Sequence, residues 1–381
     1  IMSSYTDLKQ SGSRWKGLCP FHDERTPSFT VDAEQGLYHC FGCGAGGDVF
    51  DFVQEAEGMT FLEAARCLAD EAGVSIPEDA STATDTHKHR EALKAAVRVA
   101  ARYFYDTRCT ADAGAPARTY LQRRSFAAGT LKRFGVGYAP DAWDGLLTHA
   151  QEHHVKPDAL HDAGLVIERS STDGYYDRFR GRVIFPIFSH RGDVIAFAGR
   201  LVDGDAADAD ANDDAPKYVN SPATPLYDKR SVLYGFWQAR KALADTREAW
   251  VVEGYTDVLA LHGAGIRHAV ATCGTALTDE HLSALMQRTD HIMLLFDGDE
   301  AGSQATGRAV QRCIRLGIDA SACALPDGHD PCTFLQTHGA DALRAYIDEH
   351  RLVLHDFAAR KVGRGWADAI PEAVTEARIQ R

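Results

Sequence analysis

The run AWVVEGYTDVLALHGAGIRHAVATCGTALTDEHLSALMQRTDHIMLLFDGDEAG, residues 249–302, decides how the larger part of the chain folds. AWVVEG reads as a strand running into a glycine, TDVLALHGAG as a short helix and HAVATCG as a second strand. ALTDEHLSALMQR follows as a helix with Thr278 as its cap, and HIMLLFDGDEAG as a strand with acids at its end. Just beyond, SQATGRAVQRCIRLG (303–317) continues as helix and IDASACALPDG (318–328) as a last strand. Apolar strands alternating with helices predict a parallel sheet covered on both faces. Ligands of such sheets gather beyond the carboxyl ends of the strands, where Glu253, Asp297 and Asp299 fall.

Asp297 and Asp299 are two apart, so at an extended strand end they point the same way and can share one cation. Glu253 comes from another strand of the same sheet. Hard carboxylate oxygens suit Mg²⁺ or Mn²⁺ and do not suit zinc. D-x-D alone is a weak signal, because surface acids in a capped loop look the same. E-G at one strand end with D-G-D-x-A-G at another is far more specific.

Toward the N-terminus stands CPFHDERTPSFTVDAEQGLYHCFGCGAGGDVFDFV, residues 19–53. Cys19 and His22 make a C-x2-H pair, and Cys40 and Cys43 a C-x2-C pair. The interval is long enough for a β-hairpin to bring the pairs together. Three thiolates and one imidazole close a tetrahedron, which is the donor set of one structural Zn²⁺. No coordination position stays open, so the zinc is scaffold and not catalyst.

The remaining cysteines, Cys67, Cys109, Cys273, Cys313, Cys323 and Cys332, stand singly, mostly in apolar patterns that suit buried thiols in a reducing compartment. No apolar run approaches a membrane span, and no leader pattern opens the chain. The 381 residues suggest two or three domains. A net charge of −13 argues against nucleic acid, but the charge is segregated. Residues 203–214 (DGDAADADANDD) carry six acids and no base, the composition of a disordered loop; residues 118–133 carry five bases and no acid, the composition of a solvated helix face. MTFLEAARCLADEAG (59–73) has helical spacing, with Thr60 and Glu63 as a capping box and Gly73 as a stop. PEDASTATDTHK, from Pro77, has linker composition, and a helix follows near Arg90. RVIFPIF (182–188) and VIAFAGR (194–200) read as strands joined by a turn at 190–193.

CPFH, the E-x-T-P-S-F segment from Glu24 to Phe29, and YHCFGC together resemble the zinc-binding domain of bacterial DnaG-type DNA primases. The acidic segment resembles the TOPRIM domain, which primases share with topoisomerases and some nucleases. PKYVNSP (216–222), YDKRSVLYG (227–235) and YDRFRGRVIFPI (176–187) resemble the primase catalytic core. The resemblance covers nearly the whole chain. It implies a multidomain protein: a small antiparallel β zinc ribbon, then an α/β catalytic core made of an α+β basic subdomain and a Rossmann-like TOPRIM subdomain, then a short helical tail. The expected limits are 1–76, a linker at 77–89, 90–247, 248–338, and an incomplete helical subdomain at 339–381.

By the same resemblance the chain is a DNA-dependent RNA polymerase that makes short RNA primers on single-stranded DNA by metal-assisted nucleotidyl transfer. Glu253, Asp297 and Asp299 are the expected catalytic acids, with Asp257 and Asp330 joining them around one to three Mg²⁺ or Mn²⁺ ions. The chain departs from the family at Cys332, where an acid is usual. Arg133, Arg182, Arg200, Lys217, Asn220 and Lys229 match positions that hold template phosphates and ribonucleoside triphosphates, with Ser221 beside them. In the zinc module, Trp15, Phe29, Tyr38 and Phe41 are candidates for stacking on bases, and Arg14, Lys16 and Arg25 for holding the strand. Expected partners are the single-stranded template, the RNA primer and the triphosphates. A DnaB-type helicase and single-strand-binding protein are expected for the full-length protein, since the chain reads as truncated before the helicase-binding domain. The expected location is the cytoplasm, at the nucleoid and replisome, with no membrane. Rival readings are another TOPRIM enzyme (a topoisomerase or nuclease), a non-catalytic zinc-ribbon DNA-binding protein, or the primase half of a phage primase–helicase.

Overall fold

The computed structural model describes residues 1–353 except 23, 25, 58–60, 73–79, 111, 170–173, 203–215, 298–299 and 327. Asp299, Arg25, the acidic run 203–214, the Thr60 cap, the Gly73 stop and the expected tail beyond residue 353 therefore lie outside the described residues. The chain folds as two compact units, 1–85 and 86 onward.

In the first unit, β1 (Lys9–Ser11), β2 (Arg14–Gly17), β3 (Phe29–Asp32), β4 (Leu37–Cys40) and β5 (Gly46–Asp48) form one antiparallel sheet in chain order. The register lines up Trp15, Val31 and Tyr38 on one face, and Lys16, Thr30 and His39 on the other. Two helices follow, α1 (Val49–Glu57) and α2 (Phe61–Ala72). Helix α1 begins inside the 19–53 run that carries the four metal-ligand candidates, where no helix was expected. Its start is built by Asp48, whose Oδ1 accepts the N–H groups of Phe50 (2.8 Å) and Asp51 (3.0 Å), while Asp51 accepts from the Asp48 N–H (3.1 Å). Buried Phe29, Tyr38 and Phe52, with half-buried Phe21, pack as rings 5.2–6.3 Å apart. Phe29 and Tyr38 are thus core residues, and the stacking role expected of them is corrected: so small a core has few other apolar groups to bury.

Helix α3 (Ala80–Cys109) leads into the second unit and begins inside the segment read as a linker. No glycine or proline stands between Pro77 and Gly114 to stop it. Then come α4 (Ala115–Arg123), α5 (Ala128–Arg133), β6 (Gly137–Ala139), α6 (Gly145–Glu152), α7 (Pro157–Asp162) and a hairpin of β7 (Val166–Glu168) with β8 (Tyr175–Asp177). β9 (Arg182–Phe188), β10 (Val194–Leu201) and β11 (Tyr218–Asn220) complete an antiparallel sheet of order β11-β10-β9-β6. Both faces are covered. Leu93, Val97 and Phe104 of α3 pack against Ile184 and Phe197, while Phe134 lies in the core on the side of Val183, Phe185 and Ile187.

The acid-bearing sheet runs through β12 (Leu233–Tyr234), α8 (Phe236–Thr246), β13 (Glu248–Val252), α9 (Tyr255–Gly263), β14 (Ala269–Thr272), α10 (Asp279–Met286), β15 (His291–Phe296), α11 (Glu300–Arg315), β16 (Ala320–Ala324), α12 (Pro331–His350) and β17 (Leu352–Val353). Its order is β12-β14-β13-β15-β16-β17. The four central strands are parallel as expected, but β12 and β17 pair antiparallel, so the sheet is mixed. Helices α8, α10 and α11 pack on one face, and α9 and α12 on the other. The Thr278 hydroxyl accepts the His281 N–H at 3.1 Å, which caps α10 as its sequence suggests. Among the described residues no helix is long and apolar enough to cross a membrane.

Candidate active site and metal centre

In the first unit the loop after β2 carries Cys19 and His22, and the turn after β4 carries Cys43, with Cys40 closing β4. Their ligand atoms all lie within 4.8 Å of one another. Cys19 Sγ is 3.8 Å from Cys43 Sγ, and Cys40 Sγ is 3.7 Å from His22 Nδ1. Donors bound at about 2.0–2.3 Å to one tetrahedral ion stand about 3.5–3.8 Å apart, so the set fits zinc. The backbone shapes it: the N–H groups of Gly42 and Cys43 point at Cys40 Sγ (3.3 and 3.4 Å), and that of Phe21 points at Cys19 Sγ (3.5 Å). Burial raises the Cys40 thiol, but the Ser28 hydroxyl and the Cys43 and Gly42 N–H groups outweigh it and bring the pKa down to about 7. Glu24 orients the imidazole. Its Oε2 is 3.4 Å from His22 Nε2, and its Oε1 accepts the N–H groups of Cys19 (2.7 Å) and Ser28 (3.0 Å). A side chain at Gly42 would stand 2.6 Å from His22 Nε2, so glycine leaves room for the ring.

On the open face of this sheet a groove of about 410 Å³ is lined by Arg14, Thr30, Leu37, His39 and Phe41, among others. Phe41 is 72% exposed, its ring 4.6 Å from His39. Trp15 is partly exposed, in the row with Val31 and Tyr38 on the core-facing side.

In the second unit, Glu253 follows β13 and Asp297 follows β15, which are adjacent parallel strands. The Asp297 N–H donates to Glu253 Oε1 at 3.4 Å. Asp257 sits in the first turn of α9, where Oδ2 accepts the Gly254 N–H (3.0 Å) and Oδ1 the Cys332 N–H (3.3 Å). Burial, then the charges of Asp330 and Asp297, push its pKa well above the carboxylate range. Asp330 caps α12, accepting from the Thr333 N–H (2.6 Å) and hydroxyl (2.8 Å). Four carboxylates thus converge from two strand ends and two helix starts. Their mutual repulsion in a buried place, and their hard oxygen donors, fit a divalent cation. Among the described residues they do not bring three oxygens within 4.8 Å. Cys332 is fully buried, and burial, then Asp257 and Asp330, raise its thiol to about 12. It is therefore a neutral thiol; it contributes its N–H to Asp257.

The expected basic and polar residues take different places. Arg182 is buried and donates to the carbonyls of Gly199 (3.4 Å) and Lys217 (3.3 Å), so a structural role replaces the phosphate contact expected of it. Ser221 is likewise buried, its hydroxyl accepting the Phe197 N–H at 3.1 Å. Asn220 braces the two sheets: Nδ2 donates to the Cys273 carbonyl (3.2 Å) and Oδ1 accepts from the Tyr255 hydroxyl (3.0 Å). Arg133 donates to His262 Nδ1 at 3.0 Å, and His262, lowered to about 4 by burial, holds its other nitrogen 2.9 Å from the Ala269 carbonyl. Lys217 and Lys229 are exposed. Arg200 is buried as Arg182 is, so direct phosphate contact is not its role either; it lies over the rings of Tyr120 (4.8 Å) and Tyr218 (5.8 Å), and Arg124 lies over Tyr120 (5.8 Å). The charges of Arg200, Asp257 and Arg124 all act on the Tyr218 hydroxyl, which places this arginine pair beside the acids. Arg124, Tyr120, Tyr218 and Tyr255 are the members that sequence reasoning missed. Arg124 lay in the basic run 118–133, read there as a solvated helix face.

Residues 1–84 match the CHC2 zinc finger family, 104–240 the DNA primase catalytic core, N-terminal domain, and 250–335 the Toprim-like family. A DNA primase of Halalkalibacterium halodurans is 39% identical over 366 residues, covering 96% of this chain and 60% of that protein. One of Mycobacterium tuberculosis is 40% identical over 370 residues, covering 94% of this chain and 56% of that protein. The chain thus spans little more than half the length of these relatives. Among solved structures, the zinc-binding and RNA polymerase domains of Aquifex aeolicus primase align with a TM-score of 0.64 at 30% identity, covering 97% of this chain and 86% of that one. The RNA polymerase domain of Mycobacterium tuberculosis primase DnaG aligns with a TM-score of 0.66 at 36% identity, covering 76% and 98%.

Proposed function

Since the chain belongs to the DnaG-type DNA primase family, we propose that it is a primase: a DNA-directed RNA polymerase that lays short RNA primers on single-stranded DNA. The observation that carries this is the convergence of Glu253, Asp257, Asp297 and Asp330 beside the arginine pair stacked on Tyr120. One body there offers hard anionic ligands and fixed cations for phosphates. We read 90–247 as the basic subdomain and 248–338 as TOPRIM.

The reaction joins a ribonucleotide 3′-hydroxyl to the α-phosphate of the next triphosphate, with pyrophosphate leaving. Glu253, Asp257, Asp297, Asp299 and Asp330 are the residues that would hold one to three Mg²⁺ or Mn²⁺ ions. When bound, the ions supply Lewis-acid stabilisation of the attacking and leaving oxygens. Glu253 serves as ligand or as acceptor of the hydroxyl proton. Arg124, Lys217 and Lys229 hold phosphates of template and triphosphate; arginine can bind them in a bidentate way, while lysine acts as a point charge. Arg200, buried like Arg182, packs over Tyr120 and Tyr218 and adds its positive charge from behind them. Asn220 and Arg133 keep these groups in register with the acids. On the zinc ribbon, Phe41, with Arg14, Lys16 and His39 around it, offers a ring and cations to a single strand. Three of the solved relatives are described as bound to single-stranded or double-stranded DNA, which agrees with this reading. Helicase and single-strand-binding protein remain partners proposed for a longer protein.

The test is ribonucleotide incorporation on single-stranded DNA with Mg²⁺ or Mn²⁺, run beside Asp297→Asn. Template-dependent short RNA from the parent and none from the variant is the expected result. Equal products from both would move the metal site away from β15.

A further inference from the structure

One cluster of metal-ligating side chains belongs to neither site. The end of α6 and the turn that follows it read HAQEHH, residues 149–154, with His153 as the helix C-cap. We propose that His149, Glu152 and His153 form a surface site for a transition-metal dication of the Zn²⁺, Ni²⁺ or Cu²⁺ class, separate from both the zinc ribbon and the acids.

The three residues are spaced i, i+3 and i+4, so they share one helix face. Their ligand atoms lie within 4.8 Å of one another. The two imidazole rings stand 4.2 Å apart between centroids, inclined by 35°. His153 Nδ1 is 2.9 Å from the His149 carbonyl. A carbonyl only accepts, so Nδ1 carries the proton and Nε2 keeps its lone pair. A ring whose second nitrogen is tied to a backbone carbonyl is the usual support of a metal-ligating histidine. His149 is half-buried against Tyr103 of α3, with rings 4.9 Å apart, which limits the freedom its imidazole loses on binding. Glu152 is exposed and adds one negative charge.

Two imidazoles and one carboxylate leave a fourth position for water or an external ligand. Imidazole nitrogen selects zinc, nickel and copper over magnesium, so this site would not compete for the ions at Asp297. The competing explanation is a histidine pair that only stacks and answers the partial negative charge at a helix C-terminus.

The experiment uses the full, untagged chain with its ribbon already filled with zinc. Ni²⁺ is titrated in calorimetrically, for the parent, His153→Asn and Glu152→Gln. His153 is exposed, so its substitution leaves the fold intact. The expected result is one saturable Ni²⁺ per parent chain, weakened about tenfold or more in His153→Asn and less in Glu152→Gln. Metal analysis after dialysis against dilute Zn²⁺ should show a second zinc in the parent and only the ribbon zinc in His153→Asn. No saturable Ni²⁺ in the parent, or equal binding in His153→Asn, would overturn the proposal.

Discussion

Replacing Glu24 by glutamine isolates one oxygen that the zinc centre depends on. In the parent, Oε1 accepts two backbone N–H groups at 2.7 and 3.0 Å, and Oε2 faces His22 Nε2 at 3.4 Å. His22 Nδ1 looks toward Cys40 Sγ, so Nε2 is the nitrogen that carries the hydrogen on the side of the Glu24 carboxylate, 3.4 Å from Oε2. Glutamine keeps an acceptor for the two backbone bonds but sets an NH₂ against the imidazole N–H. Two donors then face each other, and the ring must turn or lose its tautomer. Loss of such a support weakens metal affinity by about 10- to 100-fold, or roughly 1.4–2.8 kcal/mol. Alanine also removes the two backbone bonds, a further cost of about 1 kcal/mol each. The assay is competition with a chelator of known zinc affinity, read for parent, Glu24→Gln and Glu24→Ala. Zinc should be lost first from Glu24→Ala, then from Glu24→Gln, and last from the parent. A glutamine variant that holds zinc as tightly as the parent would refute the claim that Glu24 orients the ligand.

Three further outcomes follow from the geometry. Phe41→Ala should weaken single-stranded DNA binding by about 1–3 kcal/mol while thermal stability stays put; Phe29→Ala should instead destabilise the ribbon by about 3–5 kcal/mol, both read by melting and by anisotropy titration. Cys332→Ala should keep primer synthesis, because a buried thiol raised to about 12 is no ligand for Mg²⁺; loss of synthesis in a folded variant would put the sulfur at the ions. Asp257 has a folded pKa above the roughly 3.9 of an unfolded chain. Its contribution to stability is therefore complete below about pH 4 and lost as pH rises toward the folded value. In magnesium-free buffer, melting temperature should fall over that window, less so in Asp257→Asn, and Mg²⁺ should remove the difference.

Local signals were legible wherever one stretch of sequence carried both the pattern and its punctuation. The 182–188 and 194–200 strands, the Thr278 cap and the zinc quartet all appear where their spacing puts them. Helix α1 was hidden because its Asp48 cap directly follows Gly46 and Gly47, a pair that signals a turn and not a helix start. The start of α3 was hidden because small polar residues fit both a linker and a helix without breakers. Burial of Arg182 follows from β9 being covered on both faces, which alternation alone does not reveal. The pairing of Arg124 with Arg200 over Tyr120 was invisible for a different reason: α4 and β10 are far apart in sequence, and only tertiary packing brings them to one ring.

The antiparallel strands β12 and β17 are each two residues long. Among the described residues they leave almost no row of open N–H and C=O groups, a small template for pairing with another chain. Among the described residues, Leu352 and Val353 are the ones that pair with the outer side of Ala320–Ala324. A fragment cut at His350 would keep every acid and every arginine discussed above, yet lay bare a five-residue apolar strand. Its first symptom would be self-association at high concentration, with the chemistry still intact in dilute solution.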